Sequence, residues 1–447
     1  MKGKLAVLLA GLMAATSLAG CASANGENSG NTSGSESGAV QEQGSSGSSE
    51  SSAGSGEVSG KITIWTWTDI SNEIEAYESS HPGTEIEQVV IDAGDYVTKI
   101  QTTLASGGDL PDALWGESLN RGIIFEMDIL DELTAEPYHL DVSLLEDYVI
   151  PSMTNEDGKI VGLERNVTPS GLAYHRDMAL EYFGTDDPDE LAAKFSTWED
   201  FIKAGQEVSE KSGGKVTMLT SLGDVYYMMN GQSQDVRISD GTIHESAVLD
   251  LFTKICQFRD AGIVSQIEQW TPAWYASFAS KNSIFSPMPA FGVHSWILPS
   301  EEDGESDWGL MIPPGGGFSW GGTCWGITKN SENKELAWDF VYWDTFEEGA
   351  QMRFDTEETP SAKTFLTDEN LQDENPYFSN QKTMEVYVKE ILPTVHVNNP
   401  TPYDYADVCA IEMVLSSFNS DYTLTASDGV QLYLDEMQRQ APELKVD

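Results

Sequence analysis

The sequence predicts an α/β protein built as two lobes, on three observations. Ile62 and Ile64 alternate as in a half-buried strand, and Ile70, Ile74 and Tyr77 then fall at helical spacing. TEIEQVVI resumes as a strand, Val97, Ile100 and Leu104 mark a second helix, and DALW is a short third strand. Strand, helix, strand, helix, strand between residues 61 and 115 requires crossover connections and a largely parallel sheet. The stretch from Lys61 to Asp447 is also too long for one ordinary core.

The chain opens with Met1-Lys2-Gly3-Lys4, an apolar run from Leu5 to Leu18, and Ala19-Gly20-Cys21. A basic start, a short apolar stretch and small residues before a cut site are the parts of a secretory signal, placed at residues 1–20. The apolar run falls short of the roughly 20 residues that span a bilayer. Leu18-Ala19-Gly20-Cys21 resembles a bacterial lipobox, which implies that Cys21 is acylated and becomes the mature N-terminus. Residues 22–60 are mostly Ser, Gly, Asn, Glu and Ala, with Val40 and Val58 as their branched apolar residues. Such a segment cannot bury enough surface to offset its ordering entropy. It reads as a disordered tether with a mean reach of roughly 35 Å.

Beyond the third strand, STWEDFIKAGQEV opens as a helix on a capping box from Ser196 to Glu199. Val248, Leu251, Phe252 and Ile255 mark another, closed by Gly262. WGLMIPPGGGFSWGGTCWGITKN reads as two strands around a Pro/Gly corner, and Leu336, Phe340 and Trp343 begin the next helix. There is no internal repeat.

The formal net charge of -49 comes close to excluding nucleic-acid binding by phosphate neutralisation. Anionic lipid would repel the body too, so membrane attachment falls to acyl chains. Cys256, Cys324 and Cys409 lack C-x-x-C spacing, so neither a zinc site nor a redox motif is supported. Three such thiols in an exported chain fit an anaerobic habitat or at most one disulfide. Cys256 and Cys324 sit in apolar stretches as small core residues. Six scattered histidines offer no metal cluster, and no GxSxG, HExxH or Walker loop occurs. No metal, cofactor or catalytic residue is expected.

Several stretches together resemble the extracellular solute-binding proteins of ABC importers, the family that includes maltose-binding protein. TTLASGGDLPDALW resembles the family's helix, glycine, Pro-Asp, strand signature, and STWEDFIKAGQEV its Thr-Trp helix start. GLAYHRDMALEYFG resembles the lobe-crossing segment, with Tyr174-His175-Arg176-Asp177 where Tyr-Asn-Lys-Asp is usual. FASKNSIFSPMPAFGVHSW resembles the Phe, Gly-Lys, Ala-Met, Trp stretch, although Lys281-Asn282-Ser283-Ile284 departs from it. GGTCWGITKNSENKELAWDFVYWDT resembles the return to the first lobe. The resemblance implies two α/β lobes, each a mostly parallel sheet flanked by helices, joined by hinge segments and closing on a ligand. Lobe one would take residues 61–168 and 320–359, and lobe two residues 169–319 and 360–447. It further implies a monomeric, lipid-anchored receptor on the extracellular face of a Gram-positive-type bacterium. Its partners would be a carbohydrate, in all an oligosaccharide, and the permease subunits.

Sugars present apolar C–H faces and a rim of hydroxyls, so their sites combine flat aromatics with carboxylates, amides or Arg. Ligands of parallel sheets collect beyond the carboxyl ends of the strands. Trp65, Trp67 and Asp69 lie at that end of the first strand, and Trp115 and Glu117 at that end of the third. Trp65 and Trp67 share one face, with Trp67 nearer the rim and the preferred stacking residue. Tyr226, Trp274 and Trp320 are further aromatic candidates, with Arg165 as a polar one. Trp296 matches the family's tryptophan after its Ala-Met stretch. Tyr403 and Asp404 fall in NNPTPYDYADV, which resembles a late cleft-facing segment. Two other readings use the same residues. Tyr226-Tyr227 could bind ferric iron, or tryptophan with carboxylates could box a polyamine. A cell-surface glycoside hydrolase would need two carboxylates about 5–10 Å apart, a spacing that some pair among 73 acidic residues meets by accident.

Overall fold

The structure is a computed structural model that describes residues 58–300, 307–355 and 358–447. The leader at 1–20, Cys21 and all but the end of the tether lie outside the described residues. The strands are β1 (Gly60–Thr66), β2 (Thr84–Val90), β3 (Ala113–Glu117), β4 (Leu163–Glu164), β5 (Asn166–Val167), β6 (Pro169–His175), β7 (Ile238–Ser239) and β8 (Thr242–Ile243). They continue as β9 (Phe285–Pro289), β10 (Trp308–Met311), β11 (Phe318–Ser319), β12 (Thr323–Ile327), β13 (Thr359–Pro360) and β14 (Lys445–Val446). The α-helices that matter below are α1 (Ser71–Ser80), α2 (Tyr96–Ser106), α3 (Arg121–Glu126), α4 (Trp198–Ser212) and α5 (Leu222–Gln232). They are followed by α6 (Glu245–Asp260), α7 (Pro272–Ser280), α8 (Lys334–Phe346), α9 (Glu348–Phe354), α10 (Asp404–Ser420) and α11 (Ala426–Gln440).

The first sheet has the order β2-β1-β3-β12-β4. β1 pairs in parallel with β2 and β3, as the alternating segments predict, and α1 and α2 carry the crossovers. Ile62, Ile64 and Leu114 point into its core with Trp325 and Phe340. The Tyr96 hydroxyl ties the parallel strands together: it donates to the Trp65 carbonyl at 2.7 Å and accepts from the Trp115 N–H at 3.0 Å.

The second sheet is mixed, where a mostly parallel one is expected. Its central strand β6 pairs antiparallel with β9, β10 and β11. Parallel pairing in this lobe, among the described residues, is limited to bridges at Thr217/Ser283 and Leu219/Val264 and to the short pair β8–β14. The reason is the path of the chain. β6 carries it out of the first lobe and β11 carries it back, so two strands side by side at the waist run in opposite directions. A separate apolar core, reaching from Leu172 to Leu444, fills this second lobe.

Two local expectations shift. The helix α4 is capped by Thr197, whose hydroxyl accepts from the Asp200 N–H at 3.1 Å, one residue later than the Ser196–Glu199 box. Both pairs carry the right residue types, and Thr197 has the extended backbone that a cap requires. The run from Trp308 holds three strands instead of two. Gly321 and Gly322, at φ 88 and 122, break it again after β11, in a region that side chains rarely adopt.

The waist contains the short pair β5–β13 and the passage from β11 to β12. The Thr168 hydroxyl sits 3.0 Å from that of Ser319, and the Thr168 carbonyl accepts from the Trp320 N–H at 3.2 Å. Behind the waist, α8 places Asp344 in full burial. Its carboxylate accepts from Arg165 Nε at 3.2 Å, from the Trp325 indole at 2.6 Å and from Arg353 Nη1. Burial alone would raise its pKa, and the guanidiniums of Arg165 and Arg353 outweigh that and hold it below the usual carboxylate range. Removing this carboxylate would strand two buried guanidiniums. We expect Asp344→Ala to cost about 3–5 kcal/mol, read by urea denaturation, whereas a loss below about 1 kcal/mol would show that the pair is dispensable.

Candidate functional site

A cavity of about 580 Å³ lies at the waist between the two sheets, within the range of roughly 300–1,000 Å³ usual for small-molecule sites. Its first-lobe wall comes from the turn after β3 and the start of α3, including Ser118 and Arg121. The second-lobe wall comes from α5 and the polar loop after it, including Tyr226, Tyr227 and Gln234. The waist supplies Asn166, Thr168 and Trp320, and residues 396–401 close the remaining side with Asn398 and Asn399.

The aromatic wall is a stacked pair. The rings of Tyr227 and Trp320 lie 4.2 Å apart at an interplanar angle of 17°. α5 can present adjacent tyrosines here because it is firmly begun. Ser221 and Asp224 form a reciprocal capping box, and Asp224 also accepts from the Trp274 indole at 3.1 Å. Burial raises the Asp224 pKa to about 6, against four hydrogen bonds that pull it down.

The charged groups in the wall pair with one another. Arg121 grips Glu164 through both nitrogens, with Nη2 to Oε1 at 3.1 Å, and Nη2 also donates to the Gly322 carbonyl at 2.8 Å. Arg237 grips Asp407, with Nε to Oδ1 at 3.2 Å, and the Tyr433 hydroxyl donates to the same carboxylate. Asp404 accepts from the Thr401 hydroxyl at 2.6 Å and its N–H at 2.9 Å; burial nevertheless raises its pKa to about 6. With the guanidiniums matched to carboxylates, the lining offers amides, hydroxyls, aromatic faces and the carboxylates of Asp235 and Asp404. Such a wall can hydrogen-bond and stack, and it lacks an unmatched cation to attract an anion. Among the described residues, no three His, Cys, Asp or Glu side chains come together as metal ligands.

Of the residues singled out from sequence, Tyr226, Trp320 and Asp404 line this cavity. Glu117 sits at its edge and folds back on its own turn, accepting from the Leu119 N–H at 2.8 Å and from the Ser118 hydroxyl. Burial raises its pKa, in spite of those bonds and the nearby Arg121. Tyr403 precedes Asp404, half-buried on the turn before α10, with its N–H donating to the Thr401 hydroxyl at 3.2 Å.

The others lie outside the lining. Trp65 is 6% exposed under the Lys99 ammonium. Trp67 is half-buried, edge-on to Trp115 at 4.8 Å and Tyr96 at 5.4 Å. Trp115 is 2% exposed, with the Arg165 guanidinium 4.7 Å from its ring, and Arg165 itself is engaged by Asp344. Asp69 is exposed and accepts from the Ser71 N–H at 2.9 Å, at the entry to α1. Trp274 and Trp296 are buried in a second-lobe cluster, where Trp296 meets Trp270, Trp274, Phe278, Phe291 and Trp320.

Sequence reasoning missed the amides. Asn398 and Asn399 stand in the same NNPTPYDYADV stretch that drew notice for its tyrosine and aspartate. The polar run GQSQDVR after α5 gave a comparable signal, with no aromatic to mark it.

Residues 73–378 match the family model of the bacterial extracellular solute-binding proteins. A lactose-binding protein of Rhizobium radiobacter is 26% identical over 305 residues, 63% of this chain and 69% of that protein. Among solved structures, an extracellular solute-binding protein of family 1 superposes with a TM-score of 0.76 at 20% identity, covering 85% of this chain and 99% of the other. The galacto-N-biose/lacto-N-biose I-binding protein of an ABC transporter from Bifidobacterium longum, in complex with lacto-N-biose, gives a TM-score of 0.67 at 18% identity, with 88% and 100% covered. The latter two likenesses are of fold.

One contact beside the cavity leaves no room for a side chain. At Gly122 on α3, a Cβ would lie 2.0 Å from the Thr401 carbonyl oxygen and 2.8 Å from its nitrogen. Backbone meets backbone, so no side chain can rotate out of the way. Gly122→Val should therefore hold the lobes apart, enlarging the radius of gyration in small-angle scattering while leaving the far-ultraviolet circular dichroism unchanged. A wild-type radius would mean that residues 398–402 give way instead.

Proposed function

The chain belongs to the bacterial extracellular solute-binding proteins, and from that membership we propose that it captures a neutral oligosaccharide for an ABC importer. The observation that carries this reading is the wall of the cavity: a stacked Tyr227–Trp320 pair beside free amides, with the guanidiniums already matched to carboxylates. A sugar's C–H face suits the first and its hydroxyls the second. The lactose- and lacto-N-biose-binding relatives support the same ligand class.

In this reading lobe one takes residues 61–168 and 320–359 and lobe two residues 169–319 and 360–447, closing on the sugar at the waist. The membership of the two sheets supports that division, although Trp320 packs with the second lobe's rings. The receptor works as a monomer, hands its ligand to permease subunits, and performs no chemistry on it. Cys21 carries the lipid that holds it to the extracellular face of the membrane, with the Ser/Gly-rich tether between.

Calorimetric titration with neutral galacto- and malto-oligosaccharides, set against ferric citrate and spermidine, tests the ligand class. We expect binding from a neutral glycan series, with a fall in radius of gyration at saturation; binding by iron or spermidine alone would overturn it, and release of shortened sugar would point to a hydrolase. Asn398→Ala combined with Asn399→Ala should cost about 1–3 kcal/mol of sugar affinity, with an unliganded Tm within a few degrees of wild type because both side chains are exposed. An unaltered affinity would remove the amides from the site. For the anchor, Cys21→Ser should move the protein from the membrane fraction to the medium with its affinity intact, and retention of the variant on membranes would refute acylation at that position.

A further inference from the structure

A second pocket, of about 200 Å³, adjoins the waist cavity on the second lobe. The two share Tyr226 and Tyr227 as a common wall. The far side is formed by Trp270 and, from α10, by Glu412, Ser416 and Asn419.

Trp270 is the unusual residue. It is 41% exposed, the only indole at the molecule's surface among the large exposed apolar side chains of the described residues. Its backbone is left-handed, at φ 64, which bulky side chains rarely adopt. Its ring meets Trp274 at 5.0 Å, Trp296 at 5.7 Å and Trp320 at 5.8 Å, while the rest of its surface remains open. The aromatic cluster therefore fixes the ring in place without covering it. Residues held in such backbone conformations cluster at ligand sites and switch regions.

The polar side of the pocket has unused capacity. The Asn419 side-chain oxygen is buried without a hydrogen-bond partner. Glu412 adds acceptors, and no Lys or Arg lines the space. A polyhydroxylated neutral group meets these requirements, whereas an anionic one would face acidic side chains with no compensating cation.

Resting on the carbohydrate reading of the waist cavity, we infer that this pocket takes one further neutral sugar unit of the same ligand, stacked on Trp270. The oligosaccharide then runs from the waist across the Tyr226–Tyr227 wall, and Trp270 selects for chain length. The pocket's size suits a single ring.

The test is calorimetric titration of the full body with two ladders, neutral galacto-oligosaccharides and malto-oligosaccharides of one to five rings. In the series that binds, adding one ring should raise affinity at least tenfold. Trp270→Ala should erase that step and leave the shorter members within twofold of wild type. Ser416→Trp, which fills the pocket from an exposed position, should erase the same step. Replacing the added ring by a uronic acid should also forfeit the gain. The inference is overturned if affinity is flat with length, or if Trp270→Ala weakens all lengths equally. Failure of both ladders to bind the wild-type protein would instead refute the carbohydrate reading itself, and this inference with it.

Discussion

The buried carboxylate of Asp344 joins three stretches of chain behind the waist. Arg165, immediately before β5, reaches it from one side, and Arg353 on α9 reaches it from another. Arg353 Nη2 goes on to the carbonyl oxygens of Arg165 and of Asp344 itself, at 3.2 and 2.6 Å. Trp325 adds its indole from β12. Taking one carboxylate and two guanidiniums out of water is costly, and the arrangement holds because nearly every donor finds a fixed acceptor. It ties Arg165, before β5, and Trp325, on β12, to α8 and α9. The same constraint determines what the cleft can use, since an arginine committed to Asp344 is not free to meet a ligand.

The arginines in the cleft wall follow the same rule. Arg121 with Glu164 and Arg237 with Asp407 satisfy their charges within the wall. What remains for a ligand is amides on residues 398–399, hydroxyls, the stacked rings of Tyr227 and Trp320, and the carboxylates of Asp235 and Asp404. In a chain with 24 Lys and Arg against 73 Asp and Glu, the basic residues at the cleft are structural partners. A polar site whose guanidiniums are already engaged is the outcome.

Much of the fold was legible in the sequence because period-2 and helical spacing are local signals. β1, α1, β2, α2 and β3 appear where Ile62, Ile70, Ile86, Ile100 and Leu114 imply them. Direction within the second sheet was not legible, since pairing depends on how often the chain crosses the waist. The site was partly legible. Trp65, Trp67 and Trp115 lie at strand ends, as alternation requires, yet they pack with Tyr96 and with Arg165, and those partners are not neighbours in sequence. Arg165 and Asp344 are 179 residues apart, beyond any pattern a single chain displays. Asn398 and Asn399 were missed for a different reason: exposed amides on a loop carry no periodicity.

The contact at Gly122 has a consequence for which substitutions the cavity can bear. There main-chain atoms of Gly122 and Thr401 meet, and Thr401 ends the same 396–401 segment that carries Asn398 and Asn399 into the cavity wall. A side chain at position 122 would displace that segment and its amides together. A substitution that touches no polar group of the wall would thus reshape the wall, so position 122 has to keep its glycine for the amides to keep their place.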